Sequence, residues 1–276
     1  MNKILRKRVF SEKVIEYVID SPKVAKNAHA GQFIILRVDE EGERVPFTIA
    51  DYDQEAGTVT ILVQTVGATT MKLSKLSEGD CLADFVGPLG KATDLSECKK
   101  VILVGGGIGS AVIMPQAKAM FENGTPCDCI SGARNKSLLV YEDEFNKYCN
   151  HAYFCTDDGS FGFKGFVTDK LAEVLESDND IDTVFAVGPL PMMRAVVKVA
   201  EKYGRKSIVS MNSIMVDGTG MCGCCRITVG GKIKYACVDG PEFNGIEVDF
   251  EEAINRSASY KEQEKDHVCR LTGEVR

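Results

Sequence analysis

Tryptophan is absent and histidine is nearly so, with only 3 in 276 residues. His29, His151 and His267 stand far apart, and no Ser/His or Cys/His constellation surrounds them, which argues against hydrolytic chemistry. No run of about 18 apolar residues is available to cross a bilayer. The N-terminal MNKILRKRVFSEKVIEYVI lacks both an uninterrupted apolar stretch and a small-residue cleavage site, so it reads as a first strand, and the cytoplasm is the expected compartment. Basic residues are also in deficit, 33 Lys and Arg against 40 Asp and Glu, for a net charge of −7. Nucleic-acid binding rests on clustered cations that neutralise phosphates, and no such cluster exists.

In place of these the chain has 26 glycines and 11 cysteines. A reducing compartment keeps thiols free. Cys81, Cys98, Cys127, Cys129, Cys149, Cys155 and Cys269 are scattered and read as small hydrophobes. Cys222, Cys224, Cys225 and Cys237 are concentrated in one stretch, DGTGMCGCCRITVGGKIKYAC. That stretch is either a metal site with an unusual fourth ligand or a cysteine-rich loop without metal.

Three textures divide the chain. Residues 1–97 alternate apolar and polar with period two (VIEYVI, QFIILRV, TVTILVQTV), with turns at Asp51–Gly57 and at Gly79-Asp80, which predicts a closed antiparallel β barrel. Residues 98–210 alternate buried strands with helical patterns: VILVGGG before PQAKAMFENG, CDCISGA before VYEDEFNKY, and TVFAVG before PMMRAVVKVAEKYG. That order predicts an α/β domain on a parallel sheet. Residues 211–276 hold the cysteine-rich loop, a hairpin turning at Gly230-Gly231 and a polar tail. No low-complexity linker separates the three parts, so tight packing is expected.

VILVGGGIGS runs from a strand into glycines that open a helix, which can present N–H groups and a helix dipole to a pyrophosphate. Ser110 takes the place of a third glycine and no acid ends the second strand, so a simple tight turn is the competing reading. VGPLPMM repeats the pattern, with Pro191 near the first helical turn. In the β region, RVPFTI sets an aromatic beside a hydroxyl that could flank a flavin ring, and VGATTMKL offers donors to a diphosphate. An interior Phe and a threonine-rich turn would leave the same trace.

Together these motifs resemble the ferredoxin-NADP reductase superfamily: an FAD-binding barrel, a parallel-sheet nicotinamide-nucleotide domain and a small C-terminal 2Fe-2S module. The chain is similar to electron-transfer subunits of type B dihydroorotate dehydrogenases. It is closer still to the small subunits of NADH-dependent reduced ferredoxin:NADP oxidoreductases, also called sulfide dehydrogenase subunits. The resemblance spans essentially the whole chain and rests on VPFT, GATT, GGGIG, VGPLPMM and the cysteine cluster ending in CVDGPEF. It implies that Pro46, Phe47 and Thr48 line a flavin, with Leu62, Val63 and Gln64 on the next strand, and that Gly67, Thr69 and Thr70 hold the diphosphate. The superfamily carries an arginine two residues before the flavin-facing residue. Here that place is Val45, and Arg44 lies one position too early to be assigned the flavin phosphate outright. Gly105, Gly107, Gly109, Gly188 and Pro189 are implied for NAD(H), and Arg134 with Lys136 could meet the 2′-phosphate of NADP(H) or simply be solvated.

Relatives carry Cys at four cluster positions, so by alignment the implied ligands are Asp217, Cys222, Cys225 and Cys237, at spacings x4, x2 and x11, with Cys224 as a spare pointing away. Zinc on three thiolates and a carboxylate is the competing metal reading. The implied function is an electron-transfer flavoprotein subunit that passes electrons between NAD(P)H, FAD and a 2Fe-2S cluster. The implied partner is a larger glutamate-synthase-like flavoprotein with a second FAD and 4Fe-4S clusters, through which ferredoxin is reached by electron bifurcation. A dihydroorotate dehydrogenase partner is the close alternative, and a redox-sensing NAD-binding regulator is the distant one.

Overall fold

The computed structural model describes residues 2–273. The stretch expected as one first strand is a hairpin, β1 (Ile4–Ser11) and β2 (Val14–Asp20), because Glu12-Lys13 interrupts the alternation. After α1 (Pro22–Ala25), the strands β3 (Phe33–Arg37), β4 (Val45–Thr48), β5 (Asp51–Asp53) and β6 (Thr58–Gln64), the helix α2 (Ala68–Ser74) and β7 (Asp84–Leu89) complete the first unit. They form two sheets, ordered β1-β2-β6-β5 and β4-β3-β7, around one core. The chain passes from one sheet to the other at Ile49-Ala50, and a bridge between Lys3 and Cys81 joins them again on the far side. Asp51–Asp53 is strand, so the turn expected from Asp51 is confined to residues 54–57.

Buried strands and helices then alternate: β8 (Val101–Gly106), α3 (Gly109–Glu122), β9 (Cys127–Ala133), α4 (Glu142–Tyr148), β10 (His151–Thr156), β11 (Phe163–Lys164), α5 (Val167–Ser177), β12 (Thr183–Val187), α6 (Leu190–Lys202) and β13 (Lys206–Ser210). Every residue of β8 and β12 is buried, as befits parallel strands covered on both faces. The order β11-β10-β9-β8-β12-β13 reverses direction between β8 and β12, and ligand crevices open at the carboxyl ends of such a switch point.

The last unit contains the hairpin β14 (Arg226–Val229) and β15 (Lys232–Tyr235), then α7 (Ala236–Asp239), β16 (Glu242–Asn244), α8 (Phe250–Ser257) and α9 (Lys261–Thr272). Two features depart from expectation. β16 joins the parallel sheet as an antiparallel edge beside β13, so this unit is not separate from the one before it. The polar tail is helical: Asp249 caps α8 by accepting from the N–H of Glu252, and α9 lies against α2. Among the described residues no helix is long and apolar enough to cross a membrane.

Candidate functional site

A cleft of about 960 Å³ lies between the barrel and the switch point. Its barrel wall follows from strand alternation. Pro46 and Thr48 are the cross-strand partners of Ile35 and Phe33, and all four share the outer face of the sheet. Phe47, the partner of Ile34, turns toward the barrel core yet still reaches the cleft. On β6, Leu62 and Gln64 line the cleft, and so does Val14, the partner of Gln64. Val63 does not, because it pairs with Ile15 and is fully buried in the barrel core.

The threonine-rich motif is a helix start. Thr70 Oγ1 receives the N–H groups of Val66 and Gly67, both at 3.0 Å, and Thr70 borders the cleft. Gly67 and Thr69 lie outside its wall, and the Thr69 hydroxyl points at Glu43 Oε2, 3.4 Å away. Arg44 also lies outside the cleft: its Nε donates to the carbonyl of Val216 at 3.1 Å.

The opposite wall comes from the switch point, where Gly107, Gly109, Gly188 and Pro189 all face the cleft. A Cβ on Gly109 would come within 2.4 Å of the Val187 carbonyl oxygen, so only glycine lets α3 start this close to β12. Gly105 serves packing instead, since its Cβ would strike the Ser110 backbone at 2.7 Å, and it does not reach the cleft. Ser110, the departure from the triple-glycine pattern, is buried and shares a 2.8 Å hydroxyl contact with Ser131 on β9. Arg134 lies at the cleft rim, whereas Lys136 sits over the Phe161 ring at 4.6 Å. Sequence reasoning missed Gly106, Gly132, Asp157, Phe166 and Asn212 in this wall. Of these, Phe166 carried a signal, an aromatic after glycine at a helix start, and it is exposed at the opening.

The cysteine loop is packed on the barrel. Cys225 and Cys237 are buried with their sulfurs 3.2 Å apart, in a cluster with Phe33, Ile35, Met215 and Ala236. Positive φ at Gly218, Gly220 and Gly223 lets the loop turn back on itself. The Cys222 thiol is held below its ordinary range, first by the N–H of Cys224 and then by that of Asp217. Burial and the neighbouring Cys225 thiol push Cys237 up to about 12. The Asp217 carboxyl accepts from the Thr219 hydroxyl and N–H, which lower it, with smaller contributions from the Met221 N–H and the Arg44 charge. The Cys224 thiol, expected to point away, is pushed above its ordinary range, first by the neighbouring Cys222 thiol and then by burial. The expected four-donor convergence is met only by the Cys225–Cys237 pair; among the described residues no three His, Cys, Asp or Glu side chains close on a metal position.

Of the scattered cysteines, Cys127, Cys129, Cys149 and Cys155 are buried, as small hydrophobes should be, while Cys81 is exposed.

Three family models match: the oxidoreductase FAD-binding domain over residues 2–93, the oxidoreductase NAD-binding domain over 103–198, and the iron-sulfur cluster binding domain of dihydroorotate dehydrogenase B over 212–249. A Thermotoga maritima protein, a homolog of the electron transfer subunit of dihydroorotate dehydrogenase B (NAD(+)), is 47% identical across 96% of this chain and 93% of its own length. The chain belongs to the family of dihydroorotate dehydrogenase B electron-transfer subunits and their homologues. Another member, the electron transfer subunit from Fusobacterium nucleatum, is 34% identical over 80% of this chain and 87% of its own. A solved chain superimposes with a TM-score of 0.93 at 45% identity, over 99% of this chain and 98% of that one. It comes from the NADH-dependent reduced ferredoxin-NADP oxidoreductase, whose structure gave insight into flavin-based electron bifurcation.

The family's three cofactor domains are therefore present: one for FAD, one for NAD and one for an iron-sulfur cluster. The donor chemistry of the loop fits the last, because inward N–H groups favour an anionic thiolate at Cys222 and apolar residues enclose Cys225 and Cys237.

Proposed function

We propose that the cleft holds FAD against Pro46, Thr48, Leu62 and Gln64, with its diphosphate toward the start of α2. NAD(H) then enters over Gly107, Gly109, Gly188 and Pro189, with NADP(H) admissible through Arg134. Asp217, Cys222, Cys225 and Cys237 are proposed as the 2Fe-2S ligands, and residues 1–97, 98–210 and 211–276 as the three functional units. Bound flavin supplies the exchange of a hydride with nicotinamide for single electrons with the cluster. The chain's own residues bind, orient and insulate, and none is placed as an acid or base.

One observation carries this reading. Thr48 and Pro46, on the cleft, are direct cross-strand neighbours of Phe33 and Ile35, which pack against Cys225 and Cys237. Adjacent strands lie about 4.8 Å apart, so the cleft and the cysteine loop are separated by little more than one strand. The partner we propose is a larger glutamate-synthase-like flavoprotein with its own FAD and 4Fe-4S clusters, passing electrons on to ferredoxin by bifurcation. The overlap with the bifurcating enzyme's chain supports this choice. The match of residues 212–249 to the dihydroorotate dehydrogenase B model supports that enzyme as the second reading.

Flavin, iron and acid-labile sulfide measured per purified chain decide the cofactor set. One FAD with two iron and two sulfide is the expected result, and zinc, or no metal, would overturn it. Reconstitution with each candidate partner, reading NADH-dependent reduction of ferredoxin against dihydroorotate-dependent reduction of NAD, separates the two partners.

A further inference from the structure

Arg44 lies immediately before β4, where it is excluded from the cleft and turned toward the cysteine loop. Its Nε donates to the Val216 carbonyl at 3.1 Å, and its Nη1 lies 3.6 Å from Asp84 Oδ2. Asp84 is in turn fixed by Arg37 Nε at 2.7 Å. A guanidinium is rigid and offers its donors in a fixed fork, so it can tie a barrel carboxylate and a loop carbonyl in one geometry. Two residues on, Gly218 lies so close to the barrel that a Cβ would come within 2.8 Å of Leu89 Cδ1 and 3.0 Å of Ile35 Cγ1. The loop segment that enters the cysteine cluster is thus fastened on both sides of Asp217, by a polar contact before it and an apolar one after it.

We propose that Arg44 is a positioning residue that seats the cysteine loop on the FAD-binding barrel and fixes a positive charge at the Val216 carbonyl, next in sequence to Asp217. The proposal rests on the iron-sulfur reading above. Its consequence for electron transfer follows from charge. A cluster gains negative charge on reduction, and a fixed cation nearby stabilises the reduced form, so Arg44 raises the cluster's midpoint potential. The one-residue offset of this arginine from the superfamily's flavin-phosphate position then marks a different task.

Arg44→Gln and Arg44→Lys distinguish the possibilities in the full chain. Arg44→Gln should keep one FAD per chain, speed amide hydrogen exchange at residues 216–221 by roughly tenfold, as loss of a hydrogen bond to a charged donor implies, and lower the cluster midpoint potential. Arg44→Lys keeps the charge and loses the fork, so exchange should speed up while the potential stays nearer that of the unaltered protein. Loss of FAD with unchanged loop exchange and potential would overturn the proposal and return Arg44 to the flavin phosphate. Unchanged exchange in Arg44→Gln would overturn it as well. An unaltered protein without iron would refute the cluster reading itself, and the exchange measurement would still decide whether Arg44 seats the loop.

Discussion

Thr93 Oγ1 donates a 2.5 Å hydrogen bond to Glu242 Oε1, and that contact joins the end of the barrel unit to the edge strand β16. Gln116 Nε2 on α3 donates to the same oxygen at 3.4 Å, so one carboxyl holds all three parts of the chain. Burial pushes Glu242 up to about 7, against the lowering effect of the Thr93 and Gln116 hydrogen bonds.

A folded-state value above the ordinary 4.5 means the folded protein keeps the proton that the unfolded chain releases. Stability from this group is therefore full below about pH 4.5, declines as pH rises to about 7 and is level above that. The interval corresponds to about 3 kcal/mol at roughly 1.36 kcal/mol per pH unit, and partial exposure of the residue trims this to about 2. Glu242→Gln keeps the acceptor oxygen for Thr93 and Gln116 and removes the ionisable group. We expect this variant to gain about 2 kcal/mol above pH 7 and little below pH 4.5. Urea denaturation across that pH range checks it; a constant difference between the two proteins would refute it.

Tyr141 closes the other side of the domain junction. Its hydroxyl donates to Glu16 Oε2 at 2.9 Å, its ring meets Phe10 edge-on at 5.6 Å, and Arg6 reaches the second Glu16 oxygen at 3.2 Å. Tyr141→Phe should destabilise the protein by about 1.5–3 kcal/mol, since it leaves one oxygen of a buried carboxylate without its donor. A double-mutant cycle with Glu16→Gln should return most of that loss as coupling.

Two glycines in nucleotide motifs should respond oppositely. Gly109→Ala drives a Cβ into the Val187 carbonyl and should cost about 1–3 kcal/mol while weakening NADH binding. Gly67→Ala meets nothing within 4 Å at φ −139°, so its melting temperature should match that of the unaltered protein. Thermal melts together with NADH titration read both.

For the proposed cluster, Asp217→Cys should retain iron and sulfide but change the reduced-state electron paramagnetic resonance spectrum, because a thiolate donates more electron density than a carboxylate. An unchanged spectrum would place the aspartate outside the ligand set.

Much of this was legible in the residues. Alternation in TVTILVQTV identified a half-buried strand, and glycines after VILV and TVFAV marked strand ends at a nucleotide crevice. Period two also shows that Val63 cannot share a face with Leu62 and Gln64, yet the motif resemblance placed all three together; only the pairing of Val63 with Ile15 shows which face is core. The helices α8 and α9 were hidden because their apolar positions are too few for composition to separate them from a polar tail.

Local chemistry thus determined the order of strands and helices, the glycine turns and the concentration of thiols, since each depends on residues only a few positions apart. Sheet pairing decided what lies next to what across tens or hundreds of positions. It set Phe33 beside Thr48, carried Arg44 to Val216, 172 residues away, and buried the Glu242 carboxyl against Thr93. Such contacts depend on how whole elements stack, and no spacing within the chain encodes them.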